Sequence, residues 1–382
     1  MKFTDIVGQQ HIKNHLIQSA SKGRIPHAQL FIGNEGSGTL PMALAYAQYI
    51  ICGNSSLNNN EGNAACNLKF SQFQHPDLHF VFPVATTDKV KTNPVSDLFL
   101  DEWLPFIKEH PYAHLNDWYQ TIDIKNKQGN INVAEAANTL KKLALKSFVG
   151  GYKIVIIWMA ECMNTEASNK LLKLLEEPPA QTVFLLISED ETGILPTILS
   201  RCQVLHFPPL TEFEIQNALV HHFEQDPSVA ARIAKQAQGN YNKALKLIRD
   251  KETELPFEEW FITWVRAAFR ANKNARVVSE LVLWSDELAG IGRENQKLFL
   301  QYCMEMFRQA LLVNYQVKPL VYMHLKSDSF KLENFAPFVN DKNITAIFKE
   351  ISDAVYHIER NGNPKIIFTD LSIKLTRLIH RK

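Results

Sequence analysis

Short apolar runs separated by helical patterns constrain the fold of the first half of the chain. Runs of this kind lie at residues 28–33, 78–84, 152–159 and 182–188. Before the last run, residues 164–177 place apolar side chains at helical spacing and stop at Pro178 and Pro179, where a helix should end. Strands that alternate with helices favour a mainly parallel sheet covered by helices. The sequence therefore predicts an α/β fold for this part.

The second half of the chain has a different pattern. Short helical patterns follow residue 208 up to about residue 250, and from residue 255 only helical patterns occur, including residues 296–315 and 344–361. At 382 residues the chain is also too long for one ordinary core. We predict an α/β core at 1–208, a small helical domain at 209–252 and a larger helical domain at 253–382.

Two stretches interrupt the alternation of the first half. Residues 52–67 are rich in Asn, Gly and Ser and are predicted to form an irregular insertion. Residues 86–129 are polar and punctuated by Trp and Pro, and a helical pattern resumes at 131–147. We interpret the segment around 98–126 as a surface helix or loop, and its residues indicate no function.

Charge and apolar content place the chain among ordinary globular proteins. Hydrophobic residues make up 46% of it, and 41 Lys and Arg balance 40 Asp and Glu to a formal net charge of +1. Such a balance produces no global attraction to nucleic acid, so any such contact has to be local or shared with a partner. The first residues lack the apolar core of a signal peptide, and no apolar run approaches the roughly 20 residues that span a bilayer. A cytoplasmic protein without a membrane partner is expected.

The cysteines do not form the pattern of a disulfide framework. There are five, an odd and widely scattered set: Cys52, Cys66, Cys162, Cys202 and Cys303. Frameworks of disulfides use even numbers at close spacing in small secreted domains. All five are therefore expected to be reduced and mostly buried.

The stretch FIGNEGSGTL at residues 31–40 has the glycines of a phosphate-binding loop without its charge. Gly33, Gly36 and Gly38 supply a turn after an apolar strand, and a helical pattern follows. A working loop adds a lysine for the phosphates and a hydroxyl for Mg²⁺, where this chain has Thr39 and Leu40. The glycines alone fit an ordinary strand-to-helix turn. ATP hydrolysis at this loop is not expected.

The strand at 152–159 lacks the acidic pair that P-loop ATPases use to hold Mg²⁺ and polarise water. The positions after Ile157 are Trp158 and Met159, which can neither bind a metal ion nor accept a proton. Glu161 comes two residues later, where strand alternation and the following turn should direct it elsewhere. The sequence thus predicts a degenerate nucleotide site and no cofactor.

Several stretches, in this order, resemble the clamp-loader branch of the AAA+ proteins, and within it the delta-prime group of the bacterial DNA polymerase III clamp loader. They are FTDIVGQ, RIPHAQLFIGNEGSG, HPDLHF, MNTEASNKLLKLLEEPP and ILSRC. The resemblance runs from Phe3 to about Leu247. It implies an AAA+ P-loop-type core, with a lid domain at 209–252 and a helical collar at 253–382 through which subunits oligomerise.

The resemblance also assigns roles to individual residues. Where ATPase subunits carry a nucleotide-sensing arginine in G-x-x-R-x-A-L, this chain has Asn242 in GNYNKAL. Ser200, Arg201 and Cys202 match the Ser-Arg-Cys motif, whose arginine reaches the γ-phosphate of ATP on a neighbouring subunit. A guanidinium suits that task because it stays charged and can hold phosphate oxygens through two N–H groups. Arg201 is therefore the predicted trans arginine finger, with Ser200 and Cys202 in support; the alternative is an ordinary solvated arginine.

The insertion near residues 52–75 resembles the zinc module of the same family in degenerate form. Cys52 and Cys66 fill the outer ligand positions, while Asn60 and Asn63 lie where two cysteines should be. Asparagine is a poor zinc ligand, because zinc prefers four Cys or His ligands in a tetrahedron. A metal-free remnant loop is expected.

Aromatic and basic residues mix in the segment 257–278, a combination that can bind nucleic acid. The aromatic spacing is that of a buried helix stripe, with the basic residues on another face. We therefore predict helix packing and subunit contact in the collar in preference to DNA contact. The residues concerned are Trp260, Trp264, Arg266, Arg270, Lys273 and Arg276.

Taken together, the resemblance implies a stator subunit that does not hydrolyse ATP and completes the site of its neighbour with Arg201. The implied partners are the gamma/tau and delta subunits, with the sliding clamp and primed DNA reached through the complex. One alternative is an ATP-hydrolysing clamp-loader subunit, which would need Lys and Asp-Glu at positions 39, 158 and 159. The other is an interaction module that kept the fold and lost clamp loading; retention of the Ser-Arg-Cys motif speaks against it.

Overall fold

The computed structural model describes most of the chain, in two compact units, Met1–Arg249 and Asp250–Lys382. The described residues are 1–53, 64–124, 127–145, 147, 151–249, 256–271, 277–317, 320–323, 325, 327 and 329–381. No helix among them has both the length and the apolar character that crossing a bilayer requires.

A parallel sheet of five strands organises the first unit. The strands are β1 (Ala28–Ile32), β2 (Leu78–Val81), β3 (Lys153–Ile157), β4 (Thr182–Ser188) and β5 (Gln203–His206), in the spatial order β2-β3-β4-β1-β5. Every neighbouring pair is parallel, with Ile32 opposite Ser188 and Ile157 opposite Leu186. The predicted α/β class and its four strands are confirmed. The sequence pattern missed β5, a short edge strand that is only partly buried.

Helices accompany this sheet, and helical elements dominate the rest of the unit. They are α1 (Gln10–Ser21), α2 (Thr39–Cys52), α3 (Ala64–Ser71), α4 (Leu100–Glu109), α5 (Leu115–Thr121), α6 (Val133–Ala144), α7 (Thr165–Glu176), α8 (Pro196–Leu199), α9 (Glu212–Phe223), α10 (Pro227–Ala237) and α11 (Tyr241–Arg249). The predicted helix before Pro178 is confirmed as α7. The Asn164 side chain caps its first turn by accepting a hydrogen bond from the Ala167 N–H at 2.8 Å.

The interpretation of residues 98–126 as a surface element is wrong for its two helices, α4 and α5. Trp103 and Trp118 are completely buried. Phe82, just after β2, stacks on Trp103 at 4.1 Å between ring centroids, and the Trp118 indole donates to the Pro83 carbonyl at 2.9 Å. Aromatic rings of this size stabilise a core through their large apolar area. The segment is part of the main core, and its residues 125–126 lie outside the described ones.

The expectation that every cysteine is reduced is wrong for one pair. Cys52, the last residue of α2, forms a disulfide with Cys66 in α3, and their Cα atoms are 5.5 Å apart. Gly53 has a positive φ of 66°, a backbone conformation that glycine adopts without strain, directly after the helix. The packing of α2 against α3 then brings the two sulfurs together. The last part of the insertion, from Ala64, is helical, whereas Asn60 and Asn63 lie outside the described residues.

The second unit is helical in its described residues. It contains α12 (Phe257–Ala271), α13 (Val278–Ala289), α14 (Arg293–Asn314), α15 (Leu332–Phe335), α16 (Ile344–Glu359) and α17 (Pro364–Leu378). Trp264 of α12 is buried, stacks on Trp284 of α13 at 5.2 Å, and donates to the Ser372 hydroxyl of α17 at 2.9 Å. The aromatic stripe of α12 is therefore core packing, as predicted.

The basic residues of α12 bind partners within the same unit. Arg266 donates to the Ser329 carbonyl at 2.5 Å, and Arg270 pairs with Glu280 at 2.7 Å. Lys273 and Arg276 lie outside the described residues, and subunit contact by this unit stays a prediction.

Candidate functional site

The glycine loop joins β1 to α2 and forms a tight buried turn. Gly36 and Gly38 have positive φ values of 73° and 94°, which residues with a side chain rarely adopt. Gly38 precedes α2, so the loop leads directly into a helix N-terminus. Thr39 is half-buried and Leu40 is buried at the start of that helix. The backbone shape of a phosphate loop is present, while the positions of its lysine and hydroxyl hold a short polar and an apolar side chain.

Helix α11 lies directly against this loop. The Tyr241 N–H donates to the Gly36 carbonyl at 3.3 Å. A Cβ atom placed on Gly36 would lie 2.2 Å from the Asn240 side-chain oxygen and 2.5 Å from the Tyr241 nitrogen, closer than real atoms approach. On the other side, a Cβ on Gly33 would lie 2.5 Å from the Ser37 hydroxyl and 2.7 Å from Phe207. The loop glycines thus permit close packing of protein against protein.

The positions of the missing acidic pair belong to the hydrophobic core. Trp158 is 2% exposed and Met159 is 3% exposed. The Trp158 ring lies 5.1 Å from Trp103 and 6.4 Å from Phe106, both in α4. Met159 adopts a left-handed backbone conformation with φ of 54°. Neither side chain offers an oxygen or nitrogen to a metal ion.

Glu161 is directed into the protein near the end of β4. Its Oε1 accepts the Glu189 N–H at 2.9 Å, while its Oε2 is buried without a hydrogen-bond partner. Burial raises the pKa of this carboxyl, although the Glu189 N–H opposes the rise. Sequence reasoning placed Glu161 away from the degenerate nucleotide site and did not foresee its burial.

Asn242, at the position of the nucleotide-sensing arginine, bridges two carboxylates. Its amide nitrogen donates to Glu35 in the glycine loop at 2.8 Å and to Asp117 in α5 at 2.9 Å. Lys246, one turn later in α11, pairs with the other Asp117 oxygen at 2.6 Å. Burial raises the pKa of Asp117, but Lys246 and the hydrogen bonds more than offset it, so the pKa is lowered overall. Asp117 is thus held as a carboxylate.

Arg201 follows α8 and carries an exposed guanidinium. Its Nη1 donates to the Thr197 carbonyl at 2.9 Å and to the Ser200 hydroxyl at 3.3 Å, and its Nη2 lies 2.6 Å from Glu176 Oε1. The Ser200 hydroxyl also donates to the Thr197 carbonyl, at 3.1 Å. Cys202 is half-buried, and burial raises the pKa of its thiol to about 11, so the thiol is not reactive at neutral pH. The three motif residues form a compact turn that presents one cation at the surface.

The two cysteines at the predicted remnant zinc positions are bonded to each other. Because Cys52 and Cys66 form a disulfide, neither offers a thiolate to a metal ion in this structure. Within the described ranges, no three His, Cys, Asp or Glu side chains converge in a way that could hold a metal ion.

Sequence reasoning missed the part that residues 110–118 play at the loop. Tyr112, His114 and Asp117 come from the segment to which the sequence assigned no function. Tyr112 contacts Val7, His114 contacts Glu189 and Asp117 contacts Asn242, partners that lie 105, 75 and 125 residues away along the chain. No local sequence pattern signals contacts over such separations.

Comparison with known proteins identifies relatives of this chain in bacterial replication. The family described as DNA polymerase III, delta subunit matches residues 8–211. The delta' subunit of DNA polymerase III from Bacillus subtilis is 30% identical over 245 residues, which cover 64% of this chain and 60% of that protein. The tau/gamma subunit from Haemophilus influenzae is 28% identical over 251 residues, 64% of this chain and 30% of that protein.

The similarity to these relatives is partial in length. The chain spans 60% and 30% of the two curated relatives, so neither is matched in full. A solved structure described as a DNA polymerase III gamma subunit-related protein from Thermotoga maritima aligns over 96% of this chain and 99% of its own, at 12% identity and a TM-score of 0.37. That likeness is too distant to carry an argument.

Proposed function

Because the chain belongs to the DNA polymerase III delta-subunit family, as the match over residues 8–211 shows, we propose that it is a clamp-loader subunit of the delta-prime type that hydrolyses no ATP itself. Its partners in this proposal are the gamma/tau and delta subunits. The sliding clamp and primed DNA are reached mainly through the assembled complex. The division into a lid domain at 209–252 and a collar at 253–382 that joins the subunits is part of the same proposal.

The observation that carries the proposal is the state of the nucleotide site. Phosphoryl transfer depends on cations around the phosphates and on a bound Mg²⁺. At the glycine loop, Thr39 and Leu40 replace the cation and the metal-binding hydroxyl, and Trp158 and Met159 are buried in the core. The charged side chains described above next to the loop are the carboxylates of Glu35 and Asp117, and the one cation among them, Lys246, is paired with Asp117. These features support a subunit without turnover of its own.

Arg201 supports a role at the site of a neighbouring subunit. Its side chain is 36% exposed and pairs with the side chain of Glu176, which is 49% exposed. Exposed ion pairs are worth at most about 1 kcal/mol, so a phosphate group can displace Glu176. A guanidinium supplied in trans accelerates phosphoryl transfer by roughly 10³- to 10⁵-fold. We therefore assign Arg201 as the arginine finger, with Ser200 and Cys202 shaping the turn that carries it.

Reconstitution with the other clamp-loader subunits tests this proposal. The Arg201→Ala variant should assemble normally and lose the share of DNA-stimulated ATPase that belongs to one site. Arg232→Ala removes another exposed arginine, in α10, and should retain the wild-type rate. Assembly is followed by size-exclusion chromatography in parallel. Unchanged ATPase activity in an assembled Arg201→Ala complex would refute the arginine finger, and turnover by the chain alone would refute the non-hydrolysing role.

A further inference from the structure

Residues 110–118, here called the strap, lie across the degenerate nucleotide site. The Tyr112 hydroxyl accepts the Val7 N–H at 2.9 Å. On the side of the sheet core, the His114 Nε2 lies 3.6 Å from Glu189 Oε2, immediately after β4. Trp118 anchors the end of the strap, because its ring is completely buried among aromatic residues. The strap is therefore held firmly to the core.

The same strap also binds helix α11. The Tyr112 ring packs edge-on against Tyr241 at 4.8 Å between centroids. Asp117 accepts hydrogen bonds from Asn242 and Lys246, at 2.9 and 2.6 Å. A Cβ atom on Gly38 would come within 3.4 Å of the Tyr112 ring, so the strap touches the glycine loop as well. One short segment thus contacts the loop, the end of β4 and α11.

The charged side chains around the strap disfavour a bound triphosphate. Glu35 of the loop and Asp117 of the strap share the amide of Asn242, and the ammonium of Lys246 belongs to Asp117. A triphosphate at this loop would meet two carboxylates, and it would have to compete with an internal carboxylate for Lys246. Like charges repel, and partial burial of Glu35 and Asp117 reduces the screening of that repulsion by water. The network provides the Asn242 amide and the Lys246 ammonium with acceptors from the chain itself.

We propose that the strap is an internal replacement for nucleotide, which fastens the helices of residues 209–249 to the sheet core in one fixed arrangement. Tyr112 and Asp117 make the contacts of the strap with α11, while His114 and Trp118 hold the strap to the core. The consequence is a chain whose conformation does not respond to ATP. This inference concerns the chain by itself and does not depend on the role of Arg201.

Hydrogen exchange of the full chain, measured by mass spectrometry, tests the strap. Asp117→Ala removes the acceptor of Asn242 and Lys246, and exchange in residues 242–249 should become at least about tenfold faster, because hydrogen bonds to charged groups hold local structure closed. Exchange in β1, β3 and β4 should not change. Asp101→Ala is the matched control, since it removes an exposed carboxylate from α4 in the same segment. Wild-type protein should exchange equally with and without Mg²⁺-ATP.

A second variant keeps the test decisive if Asp117→Ala fails to fold. Tyr112→Phe removes only the hydroxyl that accepts the Val7 N–H, and should speed exchange at residues 6–8 several-fold. Exchange equal to that of the control in the folded variants would overturn the proposal. So would protection of residues 241–249 by Mg²⁺-ATP in the wild type. Either result would leave the arginine-finger test in the complex unaffected, because that test measures ATPase of another subunit.

Discussion

The guanidinium of Arg201 and the carboxylate of Glu176 form an ion pair of 2.6 Å between the turn after α8 and the last residue of α7. A carboxylate at the C-terminus of a helix faces the negative end of the helix dipole, which is unfavourable. The pair compensates for that position and orients Arg201 at the surface. Since both side chains are substantially exposed, the contact is easily exchanged for another anion.

Substitution of Glu176 by Gln should show that the ion pair contributes little to the stability of the fold. We expect the free energy of unfolding to change by less than about 0.5 kcal/mol, as for other exposed sites. In the reconstituted complex, loss of the competing charge should raise DNA-stimulated ATPase by up to about fivefold, which corresponds to about 1 kcal/mol. Glu177→Gln, at the neighbouring exposed carboxylate, serves as the control. A strong loss of ATPase in Glu176→Gln would show that the carboxylate is needed to position Arg201.

The disulfide predicts a specific thiol count. Under non-reducing conditions the unfolded chain should titrate three thiols, because Cys162, Cys202 and Cys303 keep theirs. Cross-linking residues 14 apart restricts the unfolded chain and stabilises the fold by about 3 kcal/mol in the chain-entropy model. Cys66→Ser should therefore lower the free energy of unfolding by about that amount, measured with denaturant.

A matched control uses the same chain. Cys202→Ser removes a thiol outside the disulfide. Its free energy of unfolding should still fall when a reducing agent breaks the bond between Cys52 and Cys66. Five titratable thiols in freshly purified, never-reduced protein would contradict the assignment of the disulfide.

Glu161 predicts a pH dependence of stability. Because burial raises its pKa in the folded chain, the folded state favours the protonated form. Stability due to this group is then greatest below the ordinary carboxyl pKa of 4.5 and decreases as the pH rises through that value to the raised one. Glu161→Gln keeps the oxygen that accepts the Glu189 N–H and removes the charge.

The Gln variant should therefore be more stable than wild type at pH 7, by about 1 kcal/mol, with no gain at low pH. Chemical denaturation at several pH values measures this difference. Glu166→Gln, at an exposed position of α7, should show no such dependence. Equal stability of wild type and Glu161→Gln at pH 7 would contradict a raised pKa.

A lysine introduced at position 39 of the glycine loop should not give the chain ATPase activity. Thr39→Lys places a cation at the start of α2, but Trp158 and Met159 still offer no metal ligand, and the carboxylates of Glu35 and Asp117 remain. We expect no phosphate release and no Mg²⁺-ATP binding detectable by calorimetry. Thr4→Lys adds the same charge at an exposed site. Saturable hydrolysis by Thr39→Lys would show that the lysine alone had been missing.

Local sequence patterns were sufficient for most of the fold. The strands β1, β3 and β4 are apolar runs that lie buried in the sheet, and α7 is delimited by a capping Asn164 and by Pro178, so neighbours in the sequence determine them. The predicted absence of nucleotide-binding groups at positions 39, 40, 158 and 159 is equally local, because it concerns the chemistry of single side chains. The resemblance of Ser200, Arg201 and Cys202 to a motif was visible for the same reason.

Contacts between distant segments were decided only by the tertiary structure. Asp117 meets Asn242 across 125 residues, and Tyr112 meets Val7 across 105, so no periodicity or spacing could reveal the strap. The same holds for the buried Trp103 and for the pairing of Cys52 with Cys66 after the turn at residue 53. Hydrophobic period and capping act over a few residues, whereas burial and polar pairing depend on which surfaces the folded chain brings together. The sequence by itself determined that the glycine loop lacks its charge, and the tertiary structure decided that the chain closes the loop with its own side chains.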